Sequence, residues 1–231
     1  MISTSKYRIP IEEWPPVEVR VWGDLACFTR PELKVERASY PVMTPSAARS
    51  ILGAICGKPE FEWVVREIWV LREIAWLGFM RNEVSSKAVV ASIRGWGPGD
   101  GFFADDPSER AQRNTLALRD VAYLIRADVA VADGLDPVRA NAAKYREMFR
   151  RRVERGSCHR PPFLGCREFA AHFGKRRDQD RPINLTQDLG RMLLGVDRVF
   201  NGAGEERRFP RFFEARLESG VLKVPIRMGV R

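Results

Sequence analysis

The chain has 231 residues, 45% of them apolar and 10% aromatic, which allows a sizeable core and excludes a disordered chain. Its 39 Lys and Arg residues outnumber 30 Asp and Glu, a net charge of +9 that favours phosphate-rich or otherwise acidic partners, although a basic protein with no nucleic-acid role has the same composition. No run approaches the ~20 apolar residues of a membrane span and the N-terminus has no apolar signal core, so a soluble, cytoplasmic protein with no membrane partner is expected.

The first element is a strand at "VEVRVWG", where Val17, Val19 and Val21 alternate with Glu18, Arg20 and Trp22. A loop with Arg30, Lys34 and Arg37 follows. "TPSAARSILGAICG" predicts a helix with Thr44 as N-cap, Pro45 in the first position and Gly57 as the stop. Ala48, Ile51, Leu52 and Ile55 form its apolar stripe. Residues 61–77, "FEWVVREIWVLREIAWL", suit one long strand or two in succession. Residues 95–107, rich in Gly and Pro, read as a loop in which Trp96 is exposed. "TLALRDVAYLIRADVAV" resumes alternation, with Val121, Tyr123, Ile125, Ala127 and Val129 on one face. A second helix is predicted over 137–155, capped by Asp136 and stopped by Gly156, and "PFLGCREFAAHF" is a short strand candidate.

The order β-α-β-β-α-β predicts an α+β chain with a ferredoxin-like, RNA-recognition-motif-like domain over residues 1–174. Two helices would cover one face of a four-stranded antiparallel sheet and leave the other open for a ligand. Residues 175–231 read as a small β-rich C-terminal domain, with a hairpin turning at Ser219-Gly220.

The second helix carries Arg139, Lys144, Arg146, Arg150, Arg151, Arg152 and Arg155 against Glu147 and Glu154, around an apolar stripe of Val138, Ala142, Tyr145, Phe149 and Val153. Such a run is either a solvated face or a surface that tracks phosphates. RNA breaks without a metal when its 2′-hydroxyl is aligned on the adjacent phosphorus. The step needs a proton acceptor, a cation for the crowded phosphorane and an acid for the 5′-oxygen. Lys144 supplies a cation, and Tyr145 exchanges protons only if neighbouring cations lower its pKa. A surface lysine beside a half-buried tyrosine has the same sequence.

In "RNEVSSK", Arg81, Asn82 and Lys87 suit base edges and phosphates, as does an ordinary polar loop. Trp22, Trp63, Trp69 and Trp76 read mainly as core or interface. "GWGPGDG" lacks a phosphate-loop pattern. Cys158, His159 and Cys166 fit no standard zinc spacing, the four cysteines read as reduced thiols, and no metal or cofactor is expected.

Several stretches in order, "VWGDLACFTRPELKVERASYPVMTPSAARSILGAI", "MRNEVSSK", "QRNTLALRDVAYLI" and "FLGCREF", resemble the CRISPR-associated Cas-five family of type I-C (subtype d, or Dvulg), a RAMP-superfamily branch. The likeness runs from about residue 17 to 173. It implies a ferredoxin-like domain with a small β-rich one behind it. It also implies metal-independent endoribonuclease cleavage of precursor CRISPR RNA at the base of the repeat hairpin, in antiviral defence. The product's 5′ handle would stay bound in a Cascade complex, with the backbone and large subunits as partners and target DNA as a further one. The family's catalytic tyrosine, lysine and histidine fall here on Cys56, Lys144 and Tyr145, so the lysine alone is retained, and His159 is a nearby imidazole. Lys34, Arg37, Arg49, Arg81, Asn82, Arg113 and Arg119 lie in or beside the shared motifs and are the expected RNA contacts. Two alternatives stay open: a non-catalytic RNA-binding Cascade subunit with the same fold, and an unrelated basic protein that binds duplex DNA loosely.

Overall fold

A single long strand, β6 (Arg110–Ala132), is the spine on which the other elements assemble. The computed structural model describes residues 7–8, 15–33, 36–84, 94–95, 97, 110–136, 138, 140–200 and 206–226. Lys34, Lys87, Trp96, Pro137 and Arg139 lie outside them. In chain order the elements are β1 (Tyr7–Arg8), β2 (Val17–Ala26), β3 (Arg37–Ala38), α1 (Pro45–Ile55), β4 (Phe61–Val70), β5 (Ala75–Val84), β6, α2 (Ala142–Arg155), β7 (His172–Gly174), β8 (Gln187–Phe200), β9 (Glu206–Glu218) and β10 (Val221–Lys223). Among the described residues this is an α+β chain with a mostly antiparallel sheet and two helices. No helix among them is long and apolar enough to cross a membrane.

The strand order is β7-β2-β6-β4-β10-β9-β8, every neighbour antiparallel. One half of β6 pairs with β2 and β4, and its first ten residues pair with β5 as an extended ribbon. The predicted run over 61–77 is therefore two strands, separated at residues 71–74. β10 adds to the edge of β4 and joins the β8–β9 hairpin to the same sheet. The turn between β9 and β10 sits at Ser219 and Gly220, whose φ values of 47° and 77° suit a tight hairpin turn.

α1 starts where its sequence predicts: the Thr44 hydroxyl accepts the Ala47 N–H. It ends one residue before the expected stop, because Cys56 is already extended. Gly57 is needed for a different reason, since a Cβ there would lie 2.7 Å from the Gly53 carbonyl oxygen. α2 begins later than predicted. Asp136 caps only a turn, through the Val138 N–H, and the helix cap is Asn141, which accepts the Lys144 N–H at 2.9 Å. Val138 is consequently not part of the apolar stripe and is 85% exposed. Gly156 closes α2 in the left-handed conformation, as expected.

The core lies between the two helices and one face of the sheet. Val19, Val21, Trp63, Tyr123, Ile125 and Ala127 meet Ile51, Leu52, Tyr145 and Phe149 there. Phe61 stacks on Tyr145 and Trp63 packs on Phe149, with ring centroids 4.6 and 4.7 Å apart. The opposite face is not open. Residues 175–183 cross it, so that Arg176 stacks on Trp69 and Arg177 on Trp22. Arg20 bonds Asp180 at 3.1 Å, both buried, while Arg126 bonds Glu18 and Glu67. Leu124 of β6, opposite Arg20 and Trp69, is buried beside them, on the side that alternation assigned to solvent.

"PFLGCREFAAHF" is a strand only at its end. Leu164 and Phe169 bond each other's turn, with Leu164 N–H on the Phe169 carbonyl and Phe169 N–H on the Cys166 carbonyl, so residues 163–170 double back before β7.

Candidate nucleic-acid interface

Arg139 lies outside the described residues, and α2 places the other six predicted cations in two environments. Tyr145, Phe149 and Val153 face the core, as their spacing of four dictates. Arg146 follows them inward. It is 2% exposed, donates to Asp128 at 3.3 Å and to the Pro15 carbonyl, and burial lowers its pKa. Arg152 donates to the Ile55 carbonyl at 2.7 Å and so satisfies the open end of α1. Lys144, Arg150, Arg151 and Arg155 remain on the solvent side, with Glu147 within 3.9 Å of Arg150 and Glu154 paired to Lys175. The outer arc of α2 is thus a strip of four cations over about 16 Å of helix.

The three sequence-predicted catalytic residues do not share that exposure. Lys144 is exposed in the first turn of α2. Tyr145 is 2% exposed beneath it, and burial, then the Glu60 carboxylate, raise its pKa. Cys56 is 1% exposed and burial raises its thiol pKa against the nearby Arg152 and Lys58. The Cys56 carbonyl accepts the Trp63 indole N–H at 2.7 Å, and Trp63 touches Phe61, which stacks on Tyr145. The end of α1 meets α2 at Arg152, about 12 Å along the axis from Lys144. It also meets the segment after α2, where the His159 and Arg160 N–H groups both bond the Ala54 carbonyl. The His159 side chain is exposed there.

The predicted RNA contacts fall into separate groups. Arg37 and Arg81 meet around Glu83 and Glu168: Arg37 lies 3.0 and 3.2 Å from the two carboxylates, and Arg81 pairs with both. Burial opposes ionisation of Glu168, but its own N–H and then Arg81 and Arg37 hold its pKa below the usual range. Arg113 lies directly opposite Arg81 on the β5–β6 ribbon, and the exposed Asn82 lies opposite Gln112. Arg49 packs its guanidinium against the Gly195 backbone of β8. Arg119 lines a shallow cleft with Arg72, Asp120 and Ile183, in which Arg72 pairs with Asp120. Lys34 is outside the described residues. No group of three or more His, Cys, Asp or Glu able to hold a metal occurs among the described residues.

The family model described as "CRISPR-associated protein (Cas_Cas5)", of the Cas5d type, matches residues 17–225. The chain belongs to the Cas5d family. Two curated relatives cover nearly all of it. One, from Mannheimia succiniciproducens, is 41% identical over 220 residues, 90% of this chain and 94% of its own, and is named CRISPR pre-crRNA endoribonuclease Cas5d. Another, from Thermus thermophilus, carries the same name and is 43% identical over 223 residues, 90% of this chain and 91% of its own. Two solved structures share the fold: a CRISPR-associated protein at TM-score 0.61 and 23% identity, with 92% of this chain and 93% of that one covered, and a functionally uncharacterized Streptococcus mutans protein, SMU1763c, at 0.60 and 22%, with 90% and 91% covered.

Within this Cas5d chain the sequence conceals which cations are committed. Arg146 is tied to an aspartate 18 positions away and Arg37 to a glutamate 131 positions away. Helical spacing does not separate Arg146 from Arg150, which are four residues apart and each follow a core aromatic, Tyr145 and Phe149. Nothing local marks Glu168 as the partner of Arg37 and Arg81.

Proposed function

We propose that this Cas5d protein cleaves precursor CRISPR RNA at the base of its repeat hairpin and keeps the 5′ handle bound as a type I-C Cascade subunit. The kinship with two relatives named pre-crRNA endoribonucleases, at 41% and 43% identity over nine-tenths of the chain, carries this conclusion. The exposed Lys144, Arg150, Arg151 and Arg155 on one helix support it, since clustered cations attract a phosphate chain. Lys144 is the catalytic cation, stabilising the phosphorane as the 2′-oxygen attacks phosphorus and the 5′-oxygen departs. Tyr145 and Cys56 act as positioning residues, because burial keeps both protonated and away from solvent. Arg37, Arg49, Arg81, Asn82, Arg113, Arg119 and Lys34 are assigned to the RNA handle.

The strand order β7-β2-β6-β4 with α1 and α2 on one face supports a ferredoxin-like core. We place the boundary of the small β-rich domain at residues 174/175, a domain that contributes β8, β9 and β10 to the common sheet. The complex's backbone and large subunits, and target DNA, are the further partners, and the site of action is the cytoplasm.

Incubation of the purified protein with its repeat RNA in EDTA tests the activity. Cleavage at the hairpin base is expected with the chelator present; intact RNA in every condition contradicts it. A second reading, a non-catalytic subunit with the same RNA contacts, is favoured by the burial of Cys56 and Tyr145. Tight handle binding without cleavage would select it.

A further inference from the structure

Away from α2, two thiols and a guanidinium converge beside the end of β2. Cys27 is fully buried and Cys166 is 8% exposed. The Cys166 thiol lies 3.6 Å from the Cys27 carbonyl oxygen and 3.9 Å from the Thr29 hydroxyl. Arg37 Nη1 donates to the Cys166 sulfur at 3.6 Å. The backbones are pinned together as well: the Cys27 N–H bonds the Leu164 carbonyl at 3.0 Å, and a Cβ on Gly165 would lie 2.0 Å from the Cys27 oxygen. Neither cysteine can draw away from the other without breaking that contact.

The charges around the pair divide its protons unequally. The hydrogen bond from the Cys27 thiol holds Cys166 below the ordinary thiol range. Thr29 and Arg37 add to that effect, while burial and the Glu168 carboxylate oppose it. The same hydrogen bond, then burial, push Cys27 up. The Cys166 sulfur therefore lies against a guanidinium and beside a second, fully buried cysteine, the arrangement of an attacking cysteine with a resolving one.

We propose that Cys27 and Cys166 are a modification site, a dithiol that hydrogen peroxide closes to a disulfide between the end of β2 and the loop after α2. The Cys166 sulfur attacks one peroxide oxygen and the O–O bond breaks. Sulfur is oxidised to the sulfenic acid, and the departing hydroxide takes up a proton to become water. The Cys27 sulfur then attacks the sulfenic sulfur. The S–S bond forms as the S–O bond breaks, and the Cys27 proton leaves with that oxygen as a second water. Arg37 loses its thiolate partner and keeps Glu83 and Glu168.

The test treats the full-length protein with hydrogen peroxide, blocks remaining thiols after unfolding, and maps peptides by mass spectrometry without reductant. The expected product links the Cys27 and Cys166 peptides, has lost two hydrogens, and reverts with dithiothreitol. It forms before any oxidation of Cys158, the half-exposed cysteine. In Cys27→Ser a dimedone-trapped sulfenic acid accumulates on Cys166, and Arg37→Ala slows the oxidation several-fold. The proposal is overturned if both cysteines remain alkylated after peroxide treatment, or if Cys158 oxidises first. It does not depend on RNA cleavage, so neither result bears on the nuclease.

Discussion

In α2 an exposed lysine precedes a tyrosine packed against Phe61. That contrast assigns different consequences to adjacent side chains. Tyr145→Phe keeps the stacked ring and removes only a hydroxyl that burial holds protonated, so the cleavage rate should stay within about threefold of wild type. The pH–rate profile should show no inflection from this phenol below pH 10, its ordinary value, from which the shift is upward. A large loss in Tyr145→Phe, measured under single-turnover conditions, would make the hydroxyl a direct participant. Arg20 belongs to the opposite face of the sheet and is no part of the nuclease. Arg20→Ala leaves the buried Asp180 carboxylate without its guanidinium and should cost about 3–5 kcal/mol in urea unfolding, with cleavage retained by the folded fraction.

At the level of elements, α2 is held by its caps and its inward stripe, and these were unequally legible. Tyr145, Phe149, Val153 and Gly156 follow from spacing and from the αL preference of glycine. The start was misplaced because Asp136 and Asn141 are both competent caps, and only the packed structure decides that Asp136 closes a turn and Asn141 the helix. Asn141→Ala should therefore destabilise by about 1 kcal/mol while Asp136→Ala costs less, a ranking that denaturant titration of both variants checks. β4 and β5 could not be separated by pattern, since residues 61–77 are uniformly strand-prone and the break is set by how β6 pairs with each. The covered face was missed for a related reason. The alternation of Trp22 and Trp69 with core residues signals an outer face, but not that Arg176 and Arg177 come from a later segment to cover it.

Over the whole molecule, charge sets both partner and stability. If Lys144, Arg150, Arg151 and Arg155 each meet a phosphate, those four contacts should contribute about −3 to the slope of the logarithm of RNA affinity against the logarithm of salt. Replacing Arg150 and Arg151 by Ala should remove about half of that contribution. Acid should loosen the fold by another route. Glu67 and Glu168 have folded pKa values below 4.5, despite burial, through bonds to Trp69 and Arg126 and to Arg81 and Arg37 respectively. Groups depressed in the folded state bind fewer protons there than when unfolded. Their stabilisation is complete above 4.5 and is lost as pH falls through the lower folded values. The family, the strand-rich α+β character and the cationic helix were visible in the sequence because they are local or repeated signals. The committed cations were not, because their partners are distant in the chain.

The most direct test of the central claim is the single-turnover cleavage of repeat RNA by Lys144→Ala, with RNA affinity measured on the same preparation. The nuclease account predicts a rate lower by about a hundredfold or more, with binding weakened only by the loss of one phosphate contact. Cleavage at the wild-type rate by a variant that has lost the Lys144 ammonium would contradict it.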